Sequence, residues 1–173
     1  MQLNPMEPTI LGISVGATVV LFGISAYLTR ARLQRAVGAL IASVPIIPLV
    51  MFYDMLARRI GWWHYPAVKT GDAPLAWYIS AALFYGAALG LVGWRVIRHY
   101  GKLGTVSFLV CLAIFGVARD YLYSIVTDFI AFNGGWVAYF VDLLAYASAA
   151  ALVQIIMYYI AGPPKSDQLA RST

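Results

Sequence analysis

Three aspartates stand where acids are expensive. Asp54, Asp120 and Asp142 each lie within, or at the end of, a long apolar run. An ionisable group at mid-membrane depth costs about 2.5–3.5 kcal/mol on insertion scales, so it has a partner or a purpose. A carboxyl group shielded from water keeps its proton and can deliver it as a general acid. Aromatic faces nearby stabilise a cation. Acid plus aromatic lining suits proton-initiated carbocation chemistry on an apolar substrate, and it equally suits a pocket for a greasy ligand.

The neighbours of these acids extend the candidate site. Arg119 adjoins Asp120 and is expected to neutralise Asp142 or Asp54 across a helix contact. Asp54 and Arg58 are four apart, the spacing of an ion pair on one helix face. Asp120 is expected to face Tyr123 or Ser124, and Tyr139 and Tyr146 flank Asp142 on its own face. The stretch Tyr53–Pro66 holds the first acid, the pair Arg58-Arg59 and an aromatic corner, Trp62-Trp63-His64-Tyr65. The candidate acids are thus Asp142, Asp120 and Asp54. The candidate binding residues are Arg119, Trp62, Trp63, His64, Tyr123, Tyr139 and Tyr146. A bland alternative stays open beside them, in which the same charges only bridge helices.

Other chemistries find no residues. His64 and His99 lie in no cluster with metal-ligand spacing, so no metal site is expected. No serine sits in a nucleophile motif, and neither a phosphate-cradling glycine loop nor a CxxC pair occurs. Hydrolase, NTPase and thiol-redox functions are disfavoured, and no cofactor is expected. Cys111, the one cysteine, can form no internal disulfide and is expected as a small buried hydrophobe. The net charge of +5 comes from short basic loops without a nucleic-acid groove or motif, so no nucleic-acid partner is expected.

The elements that must position these residues are helices in lipid. Of 173 residues, 62% are hydrophobic and 11% charged, where a soluble domain carries about 25% charged residues. Mean hydropathy is +0.78. Apolar runs of about 20 residues match a ~30 Å hydrocarbon core. The fold class read from this is all-α, a polytopic membrane bundle of five transmembrane helices. Spans are expected near 9–28, 36–57, 74–94, 103–127 and 136–161. Nothing basic precedes the first, so it is expected as a retained span rather than a cleaved signal. Pro45 and Pro48 should kink the second. Gly12, Gly16 and Gly23 on span one, and Gly86 to Gly90 on span three, form small faces for helix contact or for a homo- or hetero-oligomer. Residues 1–162 read as one domain and 163–173 as a disordered cytoplasmic tail.

Orientation follows from basic residues. Arg30, Arg32, Arg35, Arg95, Arg98, Lys102, Lys165 and Arg171 fall on one side, against Arg58, Arg59 and Lys69 on the other. The richer side should be cytoplasmic, with the N-terminus out and the C-terminus in. Asp142 then lies roughly 9 Å and Asp120 roughly 12 Å below the outer interface at 1.5 Å per residue. Asp54 approaches the same surface, so all three acids share the outer half of a bilayer, expected to be the plasma membrane.

The segment from Leu28 to Gly86 resembles the lycopene cyclase domain of carotenoid biosynthesis. Asp54, Gly61, Trp62, Gly71, Pro74 and Leu75 match that pattern in order and at similar spacing. Where the family carries an acidic pair, this chain has Ala76 and Trp77. The resemblance implies a helical membrane fold that binds an isoprenoid or similar lipid. It also implies an acid-catalysed cyclase or isomerase, related in strategy to membrane terpene cyclases, with Asp120 or Asp142 taking over the acid role. A non-catalytic membrane subunit or lipid-binding scaffold, and thirdly a small secondary transporter, remain as alternatives.

Overall fold

A computed structural model of the protein describes residues 6–66, 73–127 and 129–170, and side chains from Gly12 onward. Its helices are α1 (Met6–Thr29), α2 (Leu33–Ser43), α3 (Ile46–Ile60), α4 (Leu75–Ala81), α5 (Leu89–Tyr100), α6 (Lys102–Val126) and α7 (Gly135–Ala161). A π-helical turn, Ala82–Ala88, joins α4 to α5, and a two-stranded ribbon pairs β1 (Trp63–His64) with β2 (Ala131–Phe132). Five helical stretches are long and apolar enough to cross a membrane: Gly12–Thr29, Leu33–Ile60, Leu75–Tyr100, Lys102–Val126 and Gly135–Ala161.

The second span breaks at its prolines. α2 stops at Ser43 and α3 restarts at Ile46, so the break lies at Val44–Pro45. Pro48 falls in the first turn of α3, and the carbonyl its missing N–H would have addressed is that of Val44, inside the break, which accepts from Ile47 N–H instead (3.2 Å). The restart places Ser43 and Ile46 against the π turn, and Gly86 is what lets the two meet. A Cβ on Gly86 would lie 2.7 Å from Ser43 Cβ and 2.9 Å from its Cα. This glycine therefore closes the bundle on itself. Gly90 does the same against Val153, 2.8 Å from the Cβ it lacks.

Half of the third span is buried, against 6% of the first, so the third is the axis and α1 is peripheral. Around that axis pack small residues, Ala39, Ala42, Ala82, Ala149 and Ala150, with Leu91, Trp94, Val153 and Met157 filling the spaces. Small side chains bring helix backbones close, which is how helices associate where lipid removes the hydrophobic drive. The outside is apolar too: Ile24, Val110, Ile114, Phe140 and Ile155 are all exposed. So is Cys111, expected to be buried but lying on the outer face of α6. Gly12, Gly16 and Gly23 meet nothing within 4 Å.

The turns differ from expectation where backbone geometry dominates. α3 runs through Arg58 and Arg59, two cations in its last turn beside the exposed carbonyls. Gly61, at φ +85, then reverses the chain, with its N–H and that of Trp62 both donating to the Ala57 carbonyl at 2.8 Å. The third span runs on to Tyr100, so Arg95, Arg98 and His99 stand on its last turns. Gly101 alone, at φ +62, turns the chain into α6. The Asn133-Gly134-Gly135 turn forms as read, with Gly135 at φ +56. Lys69, Gly71 and Asp72 lie outside the described residues, as does Asp128.

Beyond α7 the chain folds back. Arg35, fully buried, donates from Nη1 to the Met157 carbonyl (3.1 Å) and from Nη2 to those of Ala161 (2.9 Å) and Gly162 (2.8 Å). Its Nε pairs with Asp167 at 2.9 Å, and its guanidinium lies 5.1 Å over the Trp94 ring. Arg32 bonds Gln168, Arg98 holds the Pro164 carbonyl, Ala170 N–H donates to Arg30, and Leu169 packs on the core. The stretch 163–170, read as a disordered tail, thus carries a set of contacts in the fold. Arg35, read only as an orienting charge, closes the open carbonyls at the end of α7.

Candidate functional site

The three acids come from three helices and line one cavity. Asp54 arrives on α3, Asp120 on α6 and Asp142 on α7, all at most 7% exposed. Their cavity has a volume of about 50 Å³. Tyr53, Trp63, Tyr65, Trp77, Tyr85, Phe129 and Tyr146 supply aromatic faces, and Ile46, Val50 and Ala145 supply aliphatic ones. Arg119 completes the wall.

Each acid has a different environment. Asp120 is saturated: Oδ1 accepts from Arg119 Nε (2.8 Å) and Nη2, and Oδ2 accepts from the Tyr146 hydroxyl at 2.7 Å. Tyr146 also accepts from Arg119, which closes a three-membered ring of hydrogen bonds. Arg119 therefore pairs with its own neighbour, and Tyr146 serves Asp120 rather than Asp142. Gly116 makes this possible, because a Cβ there would overlap the Tyr146 ring. The guanidinium is boxed by aromatic faces, with ring centres at 5.1 Å (Tyr85), 5.6 Å (Tyr123), 5.7 Å (Trp77) and 5.7 Å (Tyr146).

Asp54 is half satisfied. Its Oδ1 takes hydrogen bonds from Trp63 Nε1 (3.0 Å) and the Tyr65 hydroxyl (2.9 Å), in place of the expected pairing with Arg58. Both donors hang from the corner after Gly61. That corner is fixed by the ribbon, in which Trp63 faces Phe132 and His64 faces Ala131. The Trp62 carbonyl accepts from Asn133 (2.8 Å) and Gly134 (3.2 Å) as well. Burial, and then the Asp54 carboxylate, push the Tyr65 phenol well above the usual tyrosine value of 10.0.

Asp142 is the least satisfied of the three acids. Its Oδ2 is buried with no hydrogen-bond partner among the described residues, a condition shared with Asp54 Oδ2 and the Tyr85 hydroxyl. Unmet hydrogen-bonding capacity in a buried group is costly and wants an explanation. Here three such atoms belong to residues lining the same cavity.

The remaining candidates lie elsewhere. Trp62 packs on Gly134, a Cβ on which would sit 2.7 Å from its ring, and Trp62 does not line the cavity. His64 is exposed, 3.1 Å from the Asn133 side chain. Tyr139 packs at a tilt on Phe132 (4.7 Å) and edge to face with Tyr121 (5.8 Å), and lines a separate outer groove. Tyr123 lines a groove on the other side of Arg119, and Ser124 bonds the Tyr121 carbonyl. Trp77, Tyr65 and Tyr85 are among the cavity residues that sequence reasoning left out of the candidate list. Tyr65 belonged to the aromatic corner already singled out. Nothing in the local pattern distinguished Tyr85. Among the described residues no cluster of His, Cys, Asp or Glu could hold a metal ion. No protein-family model, curated protein or solved structure matches the chain.

Proposed function

We propose that the protein binds an isoprenoid or similar lipid between its helices and protonates it from Asp142, as an acid-catalysed cyclase or isomerase does. The observation that carries this reading is the unpartnered Asp142 Oδ2 in an aromatic-walled cavity, beside an arginine already engaged by Asp120. In this reading an alkene carbon takes the Asp142 proton. The resulting cation is held against the faces of Trp63, Trp77 and Tyr85. It then returns a proton from a neighbouring carbon, so the product is an isomer, no electrons are exchanged and no cofactor is needed. Trp77, at the place where the lycopene cyclase domain has a carboxylate, supplies a ring to that wall. The reading includes the N-out, C-in topology and a plasma-membrane location.

Mass spectrometry of a lipid extract from the purified protein tests the ligand, and an isoprenoid is the expected mass. Asp142→Asn tests the acid. It should lower product formation from an added isoprenoid by about 10²–10⁴-fold, and unchanged turnover would reject Asp142 as donor. A second reading, a subunit that docks a partner helix, is favoured by one observation: Gly12 and Gly16 present an open face on α1. Under that non-catalytic reading Gly16→Leu should abolish partner co-purification, and Asp142→Asn should leave it intact.

A further inference from the structure

We infer that the ligand's chain lies in the groove between α1, α4 and α6, open to the bilayer, with one oxygen-bearing end hydrogen-bonded to Arg119 where groove and acid cavity meet. This rests on the lipid-binding reading above and adds where the ligand sits and which lipid class it is.

Size comes first. The acid cavity, at about 50 Å³, admits one small group of the ligand, such as the double bond next to its oxygen-bearing end, whereas the groove beside it, at about 350 Å³, has room for the chain. The two compartments share one wall, made by Trp77, Ala81, Tyr85 and Arg119. A chain in the groove therefore lies one side chain away from the acids. The groove follows α1 from Ser14 to Leu21, roughly 10 Å of helix at 1.5 Å per residue. A hydrogen bond between the Ser14 and Ser80 hydroxyls, 3.0 Å, ties α1 to α4 along it.

Chemistry selects the ligand's end. Arg119 commits Nε and Nη2 to Asp120 and Tyr146, and Nη1 makes no hydrogen bond among the described residues. A guanidinium nitrogen in a greasy wall calls for an acceptor, which a pure hydrocarbon cannot offer. Neither of two other outer grooves offers an unengaged guanidinium. The one lined by Tyr139 has no charged group, and in the one lined by Arg35 the guanidinium is spent on three carbonyls and Asp167. The occupant that fits is a single-chain lipid ending in a hydroxyl, carbonyl or carboxylate oxygen.

The test uses a diazirine-bearing C16 alcohol and the matching diazirine hydrocarbon, with the full chain in phosphatidylcholine vesicles. Adducts are mapped after photolysis. Expected are adducts on Ser14–Leu21 and Phe115–Tyr123, at least tenfold more with the alcohol than with the hydrocarbon. Two rim substitutions that leave the acid cavity untouched, Leu21→Trp and Phe115→Trp, should each cut that labelling about tenfold. Even labelling of all lipid-facing helices, equal labelling by both probes, or wild-type labelling of both variants would overturn the proposal. Groove labelling from a protein whose extract holds no isoprenoid would keep this site and reject the isoprenoid reading. Absence of any specific adduct would reject the groove whatever the extract contains.

Discussion

At the scale of single residues, the acids behave as buried groups must, and their differences direct the experiments. Gly116→Ala should push the Tyr146 ring off α6 and break its bond to Asp120. Overpacking of this kind costs about 1–3 kcal/mol, and a lower unfolding temperature in detergent is the expected readout. Tyr65 gives a pH signature. The fold holds its proton to higher pH than the unfolded chain, because burial and then Asp54 raise its value above 10.0. Its contribution to stability is complete below pH 10.0 and is lost as pH climbs from there through the folded value. Tyr65→Phe should therefore flatten part of the alkaline loss of stability, at a cost near neutral pH of about 1 kcal/mol for the donor removed from Asp54. The three acids were legible in the sequence because charge inside an apolar run is conspicuous wherever it points. Their partners were not. Arg119 pairs with its sequence neighbour and Tyr146 reaches across to another helix, and spacing along one chain favours neither outcome over the alternatives.

Elements were readable where one property repeats and unreadable where two distant segments meet. The five apolar runs appear as helices within a few residues of the expected limits. The third is longer because Trp94 to Tyr100 continues as an amphipathic end that hydropathy alone undervalues. The ribbon could not be read: two residues on each side have no periodicity, and their pairing depends on loops nearly seventy positions apart. Arg35 was misread for a related reason. Its acceptors are backbone carbonyls at the far end of α7, which carry no sequence signature. Arg35→Met should leave those carbonyls and Asp167 unpaired, a loss of about 3–5 kcal/mol typical of a buried ion pair stripped of one partner. Chemical denaturation in detergent is the check, and Asp167→Asn should cost less, since three of the four bonds survive.

For the whole molecule, the basic count predicts that the ribbon side faces outward. A membrane-impermeant maleimide should label His64→Cys on intact cells and label Ser166→Cys only after permeabilisation. Cys111, on the lipid-facing side of α6, should react in neither condition. The three-way meeting of Asp54, Asp120 and Asp142 was expected from depth alone. The chamber's small volume was not, since volume depends on how closely alanine-rich helices approach.

The π turn at Ala82–Ala88 sets the phase of the most buried span. Leu89 N–H reaches back to the Phe84 carbonyl, one residue further than an α-helical bond. That surplus residue advances everything downstream by about 100° at 3.6 residues per turn. It lets Trp77 and Tyr85 address the acids while Trp94, on the same continuous rod, sits beneath Arg35. Without the offset the two ends of the rod could not both face their present neighbours, the acid cavity at one and Arg35 at the other.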